Sequence, residues 1–358
     1  MKSLIAWRWY VALFILCAGL GIVIGGVGQM TIDNLKCQST GYANDHFLAY
    51  CDSQRYADYE HGALFYGLER SAIDSIRRAE VLFIGNSKLQ AAFSTKAVRD
   101  YFNAINVRFF VMGFGYGDES TFSLAVLRKW GASPKVLVIN ADPFFSDKIS
   151  QPARDALEGR PAFLWRLALK LVFQRVHRAV CLVGSYVCPE SDPSIFRSAR
   201  DGEWNWIGPY VKEKSVPIDR PAQTTMTPEE IAAASKLGDQ ILDQIGLDRQ
   251  CVVLTGTPNS FLDSTEIAMA LAASLRTNSI YPQSTAYRRS TAFISIWQAR
   301  NAGPGNSFKQ WPRPCRNVSH RPFITAKASP GSQPRTRSAS GAACIYARKI
   351  SEVVGKTT

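Results

Sequence analysis

Val81-Leu82-Phe83-Ile84-Gly85-Asn86-Ser87-Lys88-Leu89-Gln90 is the stretch whose reading decides the fold. Four apolar residues in a row read as a strand buried on both faces, and the run stops at a glycine that delivers a serine onto a turn. Such a strand carries Ser87 to the C-terminal edge of a parallel sheet, and Leu89 to Phe93 begin the covering helix. A serine held there, next to helix-terminal amides that favour developing negative charge, stands where a hydrolase puts its nucleophile.

The pattern repeats downstream. Val107-Arg-Phe-Phe-Val-Met112 reads as a second buried strand that opens into Gly113-Phe-Gly-Tyr-Gly-Asp118. A helix from about Ser120 to Trp130 leads through Pro134 to a third strand, Val136-Leu-Val-Ile-Asn-Ala-Asp142. Cys251-Val-Val-Leu-Thr-Gly-Thr-Pro258 supplies a fourth strand and loop, followed by a helix from about Asp263 to Arg276 and a last short strand at Ile280-Tyr-Pro282. Strands alternating with helices predict an α/β fold on a parallel sheet. Phe144 to Arg249 is an insertion between the third and fourth strands, and Thr227-Pro-Glu-Glu230 starts the helix that returns from it, with Thr227 as N-cap and Pro228 in the first turn. Within the insertion, Trp204 and Trp206 suit either stacking on sugar rings or packing in a core.

These blocks resemble the SGNH (GDSL-like) hydrolase superfamily, in particular its membrane-anchored members that work on polysaccharide acyl groups. Gly85-Asn86-Ser87 matches the first block, with Asn in place of the usual Asp, and the resemblance makes Ser87 the nucleophile. It makes Gly113 and Gly115 candidates to donate backbone N–H groups to the oxyanion, and puts Asn140 or Asp142 where the family has an Asn facing the same oxygen. The family's Gly-x-Asn-Asp is not reproduced there. The resemblance implies a three-layer, flavodoxin-like sheet, ester hydrolysis or O-acyl transfer, and a polysaccharide or acylated glycan of the cell envelope as substrate. It implies no cofactor and leaves room for a membrane-bound acyl-donor protein as partner. No Cys/His cluster has zinc spacing, so no metal is expected.

A serine nucleophile needs a base, which the family supplies late in the chain as Asp-x-x-His. None of the four histidines, His46, His61, His177 and His320, sits in such a motif. His46 and His61 fall in a polar segment that reads as surface, and His177 in the basic amphipathic stretch Arg166 to Arg178, which reads as a solvated helix face. The place where the motif belongs coincides with a change of composition. From Ser284 to Thr358 the chain carries thirteen Lys and Arg against the single acid Glu352, so that nearly all of its net charge of +13 lies in this tail. Shifted by one reading frame, codons for Ser290-Thr-Ala-Phe293 permit Asp-Gly-x-His, and those for Ser295 to Ala302 permit an amphipathic helix. The tail is therefore read as the product of a shifted frame rather than as a native basic extension, and as lying outside the fold.

The N-terminus carries Lys2 and Arg8 before the apolar run Tyr10 to Val27, which predicts a transmembrane helix with an aromatic belt and a cytoplasmic N-terminus. A cleavable signal peptide is the alternative; no clear Ala-x-Ala site is present. The expected organisation is an anchor over 1–30, a lead-in over 31–78, the α/β domain over 79–283 with its insertion at 144–249, and the tail over 284–358. With the resemblance this implies a bacterial inner-membrane protein whose domain is periplasmic or extracellular. Export predicts oxidised cysteines: Cys37 with Cys51, and Cys181 with Cys188, each pair flanking a short loop, while Cys251 stays in a buried strand. A rival reading is a non-catalytic, membrane-tethered glycan-binding or assembly protein. A nucleic-acid binder would need the basic tail in the cytosol, against the inferred topology.

Overall fold

The computed structural model describes residues 9–21, 45–51, 58–115, 118–141, 144–183, 194–207, 215–217, 226–256, 264–280 and 288–290. In chain order its first elements are α1 (residues 9–21), β1 (His46–Cys51), α2 (Asp58–Tyr66), α3 (Arg70–Arg78), β2 (Val81–Asn86), α4 (Ser87–Phe93) and α5 (Lys96–Ala104). Next come β3 (Phe109–Phe114), α6 (Ser120–Trp130), β4 (Val136–Asn140), α7 (Gln151–Glu158), α8 (Pro161–Val183), β5 (Ser194–Ser198), β6 (Trp204–Ile207) and β7 (Ser215–Pro217). The remainder is α9 (Pro228–Ile245), β8 (Val252–Thr255), α10 (Ser264–Leu275), β9 (Asn278–Ile280) and β10 (Arg288–Ser290).

Five strands form one sheet in the order β3-β2-β4-β8-β9, every pair parallel. The apolar runs make this sheet because each of their residues is buried, and period two sends alternate residues to opposite faces. Leu82, Ile84, Phe110, Met112, Leu137, Ile139 and Leu254 join one apolar cluster with side chains of α2, α3 and α6 to α10. Val81, Phe83, Phe109, Val111, Val136, Val138 and Val253 join the other, with α4 and α5 as its described helices. Handedness explains this division. From β2 the chain steps one way to β3, then the other way to β4, β8 and β9, so right-handed crossovers put α4 and α5 on one face and α6, α9 and α10 on the other. That reversal makes the crevice between the C-terminal ends of β2 and β4 the topological switch point, where open α/β sheets bind ligands.

β3 lies at the sheet edge and would leave backbone groups unpaired. The insertion supplies the cover. β5 and β6 form an antiparallel hairpin, joined by β1 from the lead-in, and its turn lies against β3, with Val111 N–H donating to the carbonyl of Asp201 at 2.8 Å. Arg197 of β5 donates to the carbonyls of Val111 at 2.8 Å and Gly113 at 2.5 Å, and its Nε donates to Glu60 of α2. Gly202 is required in this turn: its φ is +73°, and a Cβ would stand 2.3 Å from the Val111 oxygen.

The same turn buries an acid. Glu203 accepts a hydrogen bond from Arg99 Nε at 2.8 Å through one oxygen, while its other oxygen has no hydrogen-bond partner. Burial, then the neighbouring Asp201 carboxylate, push its pKa up to about 7, and Arg99 only partly opposes them. A folded-state pKa raised from 4.5 means that this stability is fully present below about pH 4.5 and is lost as pH rises through about 7. The melting temperature of the native chain should therefore fall between pH 5 and pH 8, by the equivalent of roughly 2–3 kcal/mol from this group, and Glu203→Gln should flatten the slope. Parallel curves for the two proteins would remove the assignment.

Several expectations are met and others corrected. Thr227 caps α9 in a capping box with Glu230, and Pro228 opens the helix. The second strand runs on through Gly113 and Phe114, because those residues pair with Gly85 and Asn86 instead of opening into a loop. His61, expected at the surface, is 1 % exposed within α2. Within the tail, Arg288 to Ser290 pair antiparallel with Ser215 to Pro217, in a two-stranded sheet separate from the five-stranded one. The rest of it from 291 lies outside the described residues. Cys51 is disulfide-bonded; Cys37, Cys188 and the side chain of Cys181 lie outside the described residues. Cys251 is buried, in the short turn before β8. Of the expected membrane span, residues 10–21 are helical and 22–27 lie outside the described residues, and no helix among the described residues is long and apolar enough to cross a membrane.

Candidate active site

Ser87 is the first residue of α4, directly after β2. The preceding Asn86 is extended and caps the helix, its Oδ1 accepting from Lys88 N–H at 2.9 Å. Asn86 thus caps the helix without adding a charge. On the adjacent strand Asn140 is fully buried, and its Nδ2 donates to Asn86 Oδ1 at 3.3 Å. Gly85 makes this approach feasible, since a Cβ there would lie 2.9 Å from the Asn140 Cβ and 3.0 Å from that of Leu89. Ser87 and Asn140 therefore meet at the switch point, coupled through Asn86.

The two glycine candidates separate. Gly113 N–H donates to Gln90 Oε1 at 2.8 Å and a Cβ on Gly113 would lie 2.5 Å from the Asn86 carbonyl, so this amide is committed to holding β3 against α4. Gly115, just past the strand, has open space where a Cβ would be, which leaves its backbone approachable by a ligand. Asp142 lies outside the described residues. Nothing in the sequence singles out Gln90. It is fully buried, accepts from Gly113, and donates from Nε2 to the Gly202 carbonyl at 2.6 Å and to Ser94 Oγ at 3.0 Å. It joins α4, the β3 edge and the insertion turn. Gln90→Leu should lower stability by about 2–4 kcal/mol, because several buried polar groups lose their partner at once; a loss under about 0.5 kcal/mol in urea unfolding would count against this role.

Among the described residues, Ser87 Oγ has no hydrogen-bond partner, and none of the described histidines bonds to it. His61 Nε2 lies 2.6 Å from Asp118 Oδ2, and its ring packs against Phe114 and Phe122. Asp118 also accepts from the N–H of Ser150 at 2.6 Å and from its hydroxyl at 2.7 Å. Burial alone would raise the Asp118 pKa, but the His61 and Ser150 contacts hold it below the ordinary value. This cluster pins the loop after β3 to α2 and to the N-cap of α7. His46 pairs with Asp45 at 2.8 Å. The side chain of His177 and all of His320 lie outside the described residues.

Trp204 is not a sugar platform. It is 5 % exposed, and its indole N–H donates to Glu60 Oε1 at 3.2 Å, within the plug that covers β3. Trp206 is half-buried and packs edge-on against it, with ring centroids 5.5 Å apart. The chain matches no family model, and no curated protein or solved structure is significantly similar to it.

Proposed function

We propose that this protein is a membrane-anchored, extracytoplasmic serine esterase or O-acyltransferase of the SGNH type, acting on acyl groups of a cell-envelope polysaccharide, and that the present sequence lacks its catalytic base. The observation that carries the reading is Ser87 at the C-terminal end of the first parallel strand, at the switch point, with the Asn140 amide coupled to its turn and an approachable Gly115 just past the end of β3. Ser87 attacks an ester carbonyl. The Ser87 and Gly115 N–H groups and the Asn140 amide donate to the oxyanion, the serine proton passes to a histidine, and the same histidine protonates the leaving alcohol.

Two features support the anchor and the compartment. The large apolar residues of α1 are exposed all round it, Trp9, Leu13, Phe14, Ile15 and Leu16 among them, which is the pattern of a helix solvated by lipid. The Cys51 disulfide suits an oxidising compartment. One observation favours the rival reading, a non-catalytic tethered glycan-binding or assembly protein: the absence of any described group bonded to Ser87 Oγ. The gene's nucleotide sequence across codons 278 to 312 separates the two. If it encodes Asp-x-x-His in another frame, the enzyme reading holds; if no frame can encode it, the non-catalytic reading takes its place.

A further inference from the structure

α8 is apolar on two sides. Phe163, Leu167 and Phe173 enter the core beneath it, and Gln174 donates to the Leu48 carbonyl at 3.1 Å, so its inner face is fully engaged. On the outer face Trp165, Val172 and Val176 are 63 %, 59 % and 50 % exposed. Their spacing of seven and four residues puts them in one stripe about 17 Å long at 1.5 Å rise per residue. A soluble helix would carry polar residues there. Arg166 and Arg175 flank the stripe on opposite sides, and α8 as a whole contains four Lys and Arg and no acidic residue. Arg166 lies 3.6 Å from Asp155 of α7, and Arg175 acts on the Glu69 carboxylate without a contact ion pair among the described residues.

We propose that the outer face of α8 rests on the surface of the anionic bilayer that holds α1, with Trp165, Val172 and Val176 at the headgroup–acyl boundary and Arg166 and Arg175 against lipid phosphates. This rests on the anchor reading of the preceding section. A tryptophan and small aliphatics between flanking arginines are the composition of helices that lie in the membrane interface. Four residues of apolar surface, Leu164 included, would bind a bilayer weakly from free solution. Here the chain from Gly21 to Asp45 limits the separation of α1 from the body to about 80 Å even when fully extended, so the second contact is intramolecular and needs little affinity of its own. The consequence is orientation: the body would lie along the membrane instead of swinging on its tether.

The test uses the full chain in vesicles of phosphatidylcholine and phosphatidylglycerol, with the photo-crosslinking residue p-benzoylphenylalanine introduced at Val172, at Phe14 of α1, or at Lys96, an exposed position on α5. Lipid adducts are expected from Phe14 and Val172, with the Val172 yield at least about tenfold above that from Lys96. Arg166→Glu with Arg175→Glu should cut the Val172 yield several-fold and leave that of Phe14 unchanged. Lipid labelling from Phe14 but not from Val172 overturns the proposal and leaves the anchor standing, as does a crosslinked dimer from Val172. Labelling from neither position overturns both.

Discussion

A chain read in the alternative frame after Arg289, so that Asp-x-x-His follows the last strand, should hydrolyse an aryl acetate at least about 10³-fold faster than the chain of the present sequence, because loss of one triad member commonly costs several powers of ten. Ser87→Ala in the restored chain should remove the gain, and the same substitution in the present chain should change almost nothing. Geometry gives the reason. A nucleophilic serine must lie within hydrogen-bond reach of its base. Ser87 Oγ has no such partner among the described residues, His61 is bound to Asp118 in the core, and His46 is bound to Asp45. On the proposed reading the present chain keeps Asn140 and Gly115 as oxyanion donors, so residual turnover above the uncatalysed rate is expected. Robust hydrolysis by the present chain that Ser87→Ala abolishes would show that another group, with His177 the first to test, already serves as base.

The restored segment also has a structural place to go. On the α4/α5 side of the sheet, Val138, Val253 and Ile280 are buried, yet the described helices in their cluster are only α4 and α5, which follow β2. A helix after β9 is the usual element to cover that side in a doubly wound sheet.

How far the sequence could be read follows from the range of each signal. The five strands and their alternation with helices were legible because a parallel strand buried on both faces writes a contiguous apolar run, as in Val81 to Ile84 and Val136 to Ile139. Ser87 was legible for the same reason, since the run ends at it. The α9 start was legible because the capping box is a four-residue local signal. What was not legible depends on partners far along the chain. His61 is 57 residues from Asp118, and α2 is buried on nearly every side, so no polar face marks it. Gly113 read as a loop glycine until the register with Gly85 extended β3, and its commitment to Gln90 follows from that register alone. Trp204 and Trp206 sit among polar residues in sequence, but those neighbours, Glu203 and Asp201, are themselves buried in the plug. A polar neighbourhood in sequence is evidence of exposure only where the polar groups lack buried partners.

Arg197 is the residue whose loss should cost the fold most. It is fully buried; burial disfavours its charge, and Glu60, bonded to its Nε, opposes that. Its other nitrogens serve the carbonyls of Val111, Gly113 and Gly202, and the guanidinium lies 5.6 Å from the ring centroids of both Phe114 and Trp204. Arg197→Met keeps most of the volume but leaves the Glu60 carboxylate uncompensated in the core and strips edge carbonyls of their donor. Breaking one side of a buried pair costs roughly 3–5 kcal/mol, a large part of the total stability of a typical domain. Urea unfolding should register a loss of that size, or the variant should fail to fold. Combining it with Glu60→Leu should cost less than the sum of the two single changes, because the stranded charge disappears. The carbonyls of Val111 and Gly113 would stay unpaired in the double variant, so recovery should be partial. Since Gly115 follows directly on the strand that this guanidinium fastens, esterase activity in a restored-frame Arg197→Met chain should fall even at temperatures where it stays folded. A single variant within about 1 kcal/mol of the native chain would mean that the insertion does not secure the β3 edge, and the positioning of Gly115 would need another cause.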